Sequence, residues 1–252
     1  MSTHASTPAD PPTAVVTGAS RGFGRAIAAA LVAGGHTVIG VARSEPDLRA
    51  VQAELGDRFV PVVADATSET VAAQVLDQHR PGLLVLNAGT SPQLAALPDQ
   101  TWETFSRNWQ TDTRQAFTWT RQALRLPLAP GSVVVLMSSG AALAGSPLSG
   151  GYAGAKAAIR FIRDYAAAES GRTRLDLRFV TVLPKLTPAT GLGAAAVAGY
   201  AARAGIATDV YTKDLQPVLD PGQLAAAVVT VAADPASAPE YLVSGAGYRA
   251  VS

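Results

Sequence analysis

Short apolar runs alternate with stretches of helical spacing along most of the chain. Residues 14–16, 36–42, 59–64, 82–86, 132–137, 174–183 and 241–244 read as strands. Most are continuous Val, Ile and Leu runs with no polar alternation, the pattern of strands covered on both faces. Residues 25–31, 45–55, 68–78, 100–126, 150–169 and 223–232 read as helices; Pro46 suits the first turn of the second, and Ser68 caps the third. The alternation predicts an α/β fold, a doubly wound parallel sheet with helices on both faces, because right-handed crossovers must cover each side. No break in the pattern divides the chain, so residues 13–252 are expected to form one domain.

Composition narrows the partners. The chain has 252 residues, 48% of them hydrophobic, enough for a large core. A net charge of +1 gives no reason to expect nucleic acid or a membrane surface as partner. The absence of cysteine excludes disulfides, thiolate metal sites and a cysteine nucleophile, and suits the cytoplasm, the expected location. Residues 1–12 are polar and proline-bearing, so a flexible tail is expected there in place of a signal peptide. No run reaches the length of a membrane span.

Strand 14–16 leads into Thr17-Gly18-Ala19-Ser20-Arg21-Gly22-Phe23-Gly24 and then a helix. Unpaired amides and the positive end of the helix dipole converge at such a junction and make an anion site. Glycine is needed where a Cβ would block the turn or hold the backbone away from a pyrophosphate. An ordinary tight turn could carry the same glycines; the strand before and helix after favour a nucleotide. The G-x-x-x-G-x-G spacing resembles the cofactor loop of the short-chain dehydrogenase/reductase family, which implies a Rossmann-like sheet.

Ligands of doubly wound sheets lie beyond the carboxyl ends of the strands. Arg43, Asp65, Asn87-Ala88-Gly89, Ser138-Ser139 and Pro184 stand at those ends, second strand to sixth. An acid after the second strand would accept from both ribose hydroxyls; Arg43 there, with Arg21 in the glycine loop, suits a 2′-phosphate. NADP(H) is therefore the expected cofactor, against the plainer alternative of a solvated surface arginine.

Tyr152 and Lys156 lie four apart on a helix and share a face, and Ser139 follows the fifth strand. Reducing a ketone by hydride transfer makes an alkoxide that needs a proton as charge develops. A phenol with a pKa near ~10 is a weak acid at neutral pH, and a neighbouring ammonium lowers that value. Ser139 can donate to the substrate oxygen. Taken alone, Tyr-x-x-x-Lys also arises from a packed tyrosine beside a surface lysine. In order with the glycine loop and Asn-Ala-Gly, it makes the chain from Thr13 onward resemble the short-chain family.

That resemblance implies an NADP(H)-dependent oxidoreductase acting on a small-molecule carbonyl or secondary alcohol, without metal, as a homodimer or homotetramer built on the long fourth and fifth helices. It implies Ser139, Tyr152, Lys156 and Asp112 as catalytic residues. It implies cofactor contacts from Gly18, Ser20, Arg21, Gly22, Phe23, Gly24, Arg43, Asp65, Ala66, Asn87, Ala88, Gly89, Tyr152, Lys156, Pro184 and Thr187. Asp65 would accept from the adenine amino group, or else cap the next helix; Asn87-Ala88-Gly89 would stabilise the central sheet; Lys156 would also donate to the nicotinamide ribose.

Two positions depart from the family pattern. Asp112 falls where an Asn is usual, with Asn108 one turn away, and an ionised Asp112 near Lys156 would raise the pKa of Tyr152. Lys185 replaces the glycine expected after Pro184, so the loop is expected to run differently, with Thr187 as the carboxamide contact. Residues 186–215 are expected to form a substrate lid. Trp109 and Gln93 are candidates for the pocket wall, with core packing the plainer role for Trp109. Two other readings stay open: the same scaffold running a dehydration or cyclisation, or a catalytically silent NADP-binding module.

Overall fold

The computed structural model describes residues 11–126 and 128–251. The tail expected at 1–12 thus falls almost wholly outside the described residues. Eight strands form one sheet: β1 (Thr13–Thr17), β2 (Thr37–Ala42), β3 (Phe59–Val63), β4 (Leu83–Leu86), β5 (Val133–Met137), β6 (Arg178–Pro184), β7 (Glu240–Ser244) and β8 (Gly247–Ala250), in the order β3-β2-β1-β4-β5-β6-β7-β8. All pairings are parallel except β7 with β8. The chain winds outward from β1 to β3 and then returns to β4 on the other side of β1. The crevice above β1 and β4 is therefore the switch point of the sheet.

Alternate strand residues enter two cores. Ala14, Val16 and Val38 point into one, with α1 (Gly22–Ala33) and α10 (Pro221–Ala233) above it. Val15, Ile39 and Val41 point into the other, beneath α3 (Glu69–His79), α5 (Arg114–Arg125) and α7 (Gly150–Thr173). Each fully buried Val, Ile or Leu contributes about 1.5–3 kcal/mol. Burial on both faces explains why these strands read as unbroken apolar runs.

Between β2 and β3 runs α2 (Glu45–Leu55), with Pro46 in its first turn as expected; the Ser68 hydroxyl caps α3, accepting from the Val71 amide at 3.4 Å. Residues 100–126 do not form one α-helix. They form α4 (Trp102–Asn108), a π-helical turn at Trp109–Thr113, and α5. The sixth strand starts at Arg178, since Arg174 and Asp176 hold left-handed backbone, with φ of 56° and 54°. The antiparallel β8 was not expected; its residues are all exposed, so no apolar pattern marks it. The short α6 (Ala141–Ala144), α8 (Gly191–Ala204) and α9 (Thr208–Lys213) complete the described α-helices. Among the described residues no helix is long and apolar enough to cross a membrane.

Candidate active site

The glycine loop is fixed from below by the end of β4. The Thr17 hydroxyl accepts from the backbone amides of Asn87 (2.9 Å) and Ala88 (3.0 Å), while the Asn87 side-chain Nδ2 donates to the carbonyls of Thr17 (3.1 Å) and Gly18 (3.3 Å). Asn87-Ala88-Gly89 therefore locks two central strands together at the switch point. Gly18 takes a left-handed φ of 69°, and an added Cβ there would stand 2.9 Å from the Ala88 Cα. A Cβ on Gly24 would run into the Gly18 carbonyl oxygen. No side chain caps the start of α1, and its first turn holds no acid. Its free amides and dipole are thus available to an anion.

At the outer end of the crevice lie Arg43, Ser44, Asp47 and Asp65. The Asp65 carboxylate accepts from the Thr67 amide at 2.8 Å and from its hydroxyl at 2.9 Å. The Thr67 amide bond, with the charges of Arg43 and Arg114, holds its pKa below the ordinary value. Asp65 closes its own turn and does not cap α3, which Ser68 does. The Ala66 carbonyl accepts from the indole of Trp119, at 2.8 Å.

Over β5, the Ser138 hydroxyl donates to the Lys156 carbonyl at 2.7 Å and ties α7 to the strand end. Ser139 faces the crevice, its hydroxyl accepting from the Ala141 amide at 3.2 Å. The Lys156 ammonium lies 5.6 Å from the Tyr152 ring centre, 3.1 Å from Asp112 Oδ2 and 3.2 Å from the Met137 carbonyl, to which it donates. Burial pushes the Tyr152 phenol up; Lys156 and Ser139 pull it down, Asp112 and Tyr200 push it further up, and the net direction is upward. Burial pushes the Lys156 ammonium down, but Asp112 and Tyr152 reverse this and leave it above the ordinary lysine value.

The loop after β6 departs from expectation in detail. Lys185 is exposed and does not need a left-handed φ, so the backbone accommodates it without strain. Its amide donates to the Val243 carbonyl at 2.8 Å. Thr187 reaches the crevice, but its hydroxyl is 2.6 Å from the Leu219 carbonyl, to which it donates. Thr190, which sequence reasoning missed, caps α8 by accepting from the Gly193 amide and stands beside Gly22 of the glycine loop. Its Thr-x-x-Gly cap pattern was the available signal. Ser44 was also missed, hidden by its role as cap of α2. Tyr200 of α8 shares hydrogen bonds with Ser146 and Ser149 and stacks on Tyr211 at 6.2 Å. Gln93 and Trp109 do not line the crevice. Trp109 is not core either: it is 40% exposed and lies against Gly154.

One crevice of about 1240 Å³ gathers nearly every residue singled out in the sequence. Gly18, Ser20, Arg21, Gly22, Phe23, Arg43, Asp65, Ala66, Asn87, Ala88, Gly89, Asp112, Ser139, Tyr152, Lys156, Pro184 and Thr187 all border it. Gly24 stands behind the loop, buried.

The family model described as short chain dehydrogenase matches residues 12–201. The chain belongs to that family. The short-chain dehydrogenase is 34% identical over 166 residues to an NADPH-dependent pterin aldehyde reductase of Arabidopsis thaliana, covering 62% of this chain and 68% of the relative. It is 46% identical over 80 residues to a probable NADP-dependent dehydrogenase of Dichelobacter nodosus, covering 30% of this chain and 76% of that one. A short-chain dehydrogenase from Streptomyces avermitilis superposes with a TM-score of 0.76 at 26% identity, over 95% of this chain and 90% of its own. The family is one of NAD(P)-dependent oxidoreductases acting on small molecules, and so is this member.

Proposed function

We propose that this short-chain dehydrogenase is an NADP(H)-dependent carbonyl reductase, with Tyr152 as acid, Ser139 as orienting donor and Lys156 as the charge beside the phenol. The observation that carries this reading is that Ser139, Tyr152 and Lys156 border the same crevice as the glycine loop and Arg43.

The residues fit the dinucleotide. The uncapped start of α1 suits a pyrophosphate, Gly22 leaves open space where a side chain would intrude, and Arg21, Arg43 and Ser44 offer donors to a 2′-phosphate. Asp65 keeps a second carboxylate oxygen for the adenine amino group. Lys156 would hold the nicotinamide ribose, and the loop from Pro184 to Thr190 the carboxamide end. When bound, NADPH supplies a hydride to the carbonyl carbon. Ser139 donates a hydrogen bond to the carbonyl oxygen and fixes its orientation. The Tyr152 O–H bond breaks as negative charge grows on that oxygen, and the proton completes the alcohol. The resulting phenolate is stabilised by the Lys156 ammonium until it is reprotonated. Residues 186–215 act as the lid, with Tyr200 and Tyr211 on its inner side, and close the site to water.

Self-association as a homodimer or homotetramer belongs to the same reading. It is supported by large exposed side chains on α4, α5 and α7, among them Trp102, Phe117, Phe161 and Tyr165.

The test follows NADPH absorbance across a panel of ketones and aldehydes. Turnover is expected with at least one, and Tyr152→Phe should lower it by ~10²-fold or more while NADPH still binds. Equal turnover in the variant would overturn the assignment of the acid.

A further inference from the structure

Asp112 is held in the π-turn with its carboxylate almost sealed from water, 1% exposed. Oδ1 accepts from the Thr90 amide at 2.9 Å and from the Asn108 side chain at 3.4 Å; Oδ2 faces Lys156 at 3.1 Å. An added Cβ on Gly89 would lie 2.8 Å from Oδ2, so the carboxylate is packed directly on the Asn-Ala-Gly turn. Asn108 is itself anchored, donating to the Thr90 carbonyl at 2.7 Å. Every element around the carboxylate thus supplies a donor or closes off space. The carboxylate is paired with the Lys156 ammonium and held by two N–H donors.

Its consequence falls on Tyr152. The charged and titratable groups facing the phenol are few: Lys156 on α7, Asp112 on the π-turn and Tyr200 on α8, with Lys185, Tyr211 and Asp214 along the crevice wall. The end of β5 and the turn after β4 contribute only uncharged groups, Met137, Ser138, Ser139 and Ala88–Thr90, and α5 contributes the uncharged Gln115. Lys156 is the cation in contact with the phenol ring, and Asp112 is the anion in contact with that cation.

We propose that Asp112 is a positioning residue that, by pairing with Lys156, keeps the Tyr152 hydroxyl protonated to higher pH than an uncharged side chain at this place would, widening the pH range for carbonyl reduction. In reduction the phenol must enter as O–H, and its proton leaves to the substrate oxygen. An ammonium already shared with Asp112 stabilises the tyrosinate less, so the phenol recovers its proton more readily. In the reverse direction the tyrosinate is the base, and the same pairing confines oxidation to more alkaline solution. The effect of Asp112 on the Tyr152 phenol is upward, as this requires.

The inference rests on the reductase reading for its meaning, but its test does not need turnover. Tyrosinate absorbance is titrated in the cofactor-free protein, with the Tyr152→Phe curve subtracted to isolate residue 152, within the pH range where circular dichroism shows the fold intact. Asp112→Asn, which keeps an acceptor for the Thr90 amide, should move that titration down by about one pH unit. Asp112→Ser should move it in the same direction. The alkaline limb of ketone reduction should shift down in parallel. Coincident titrations, or an upward shift, would overturn the proposal while leaving the reductase assignment standing. Loss of the fold in both variants would assign the pair to stability and overturn it equally.

Discussion

Arg43 projects from the end of β2 into the crevice, and among the described residues it makes no ion pair. On the proposed NADP(H) reading, this guanidinium is free to hydrogen-bond the 2′-phosphate. Arg43→Ala is accordingly expected to raise KM for NADPH by about 10- to 100-fold, the worth of a lost charged hydrogen bond, and to leave KM for NADH nearly unchanged. Steady-state kinetics with the two cofactors checks this, and parallel changes would remove Arg43 from the phosphate site. Thr187 and Thr190 differ in the opposite sense from what their order in the sequence suggests. The hydroxyl of Thr187 is taken by the Leu219 carbonyl, whereas Thr190 sits next to the glycine loop. Spacing from Pro184 alone could not separate them, because the loop's path is set by contacts with a segment some thirty residues further on.

At the scale of elements, the parallel core was legible because burial on both faces leaves an unmistakable apolar run, as in Val133–Met137. The site was legible because the sheet brings its strand ends to one side. The π-turn was not. One i→i+5 turn adds a residue and rotates the rest of the helix by about 100° relative to a regular 3.6-residue period, so the face of Trp109 could not be counted from its neighbours. Its cause is tertiary: it turns Asp112 inward to Thr90 and Lys156.

A second element-scale device lies between α7 and β7. Glu240 takes three hydrogen bonds from Arg160, at 2.8–3.2 Å, and an ion pair from Arg163 at 2.9 Å. Burial alone would push Glu240 up, but the two arginines hold it below the ordinary glutamate range. A depressed carboxylate pKa stabilises the fold above the unfolded-state value, and that stabilisation disappears as pH falls through the folded value. Glu240→Gln should therefore cost about 3 kcal/mol near neutral pH, by leaving the half-buried Arg160 without its charge partner and Arg163 with only the exposed Asp164. The difference from wild type should shrink steadily in acid. Melting curves from neutral to acid pH measure it; a difference independent of pH would exclude the ionised clamp.

At the scale of the whole molecule, the proposed self-association would use large exposed side chains of α5 and α7. Phe161 and Tyr165 stand one turn apart on α7, 72% and 80% exposed, and Phe117 on α5 is 50% exposed. Isolated apolar side chains on a surface need no explanation, but two large ones a turn apart on one helix suit the self-association proposed above. If the protein self-associates as proposed, replacing Phe161 and Tyr165 together with aspartate should yield a monomer, measured by light scattering on a sizing column. An unchanged mass would place the interface elsewhere.

The three indoles provide a built-in reporter of that event. Trp119 is wholly enclosed, whereas Trp109 and Trp102 are increasingly open to water, at 40% and 78%. Iodide should therefore quench two emitters and spare the third. If subunits close over α4 and the π-turn, the quenchable fraction will fall and the emission will move to the blue, with no dye or label attached.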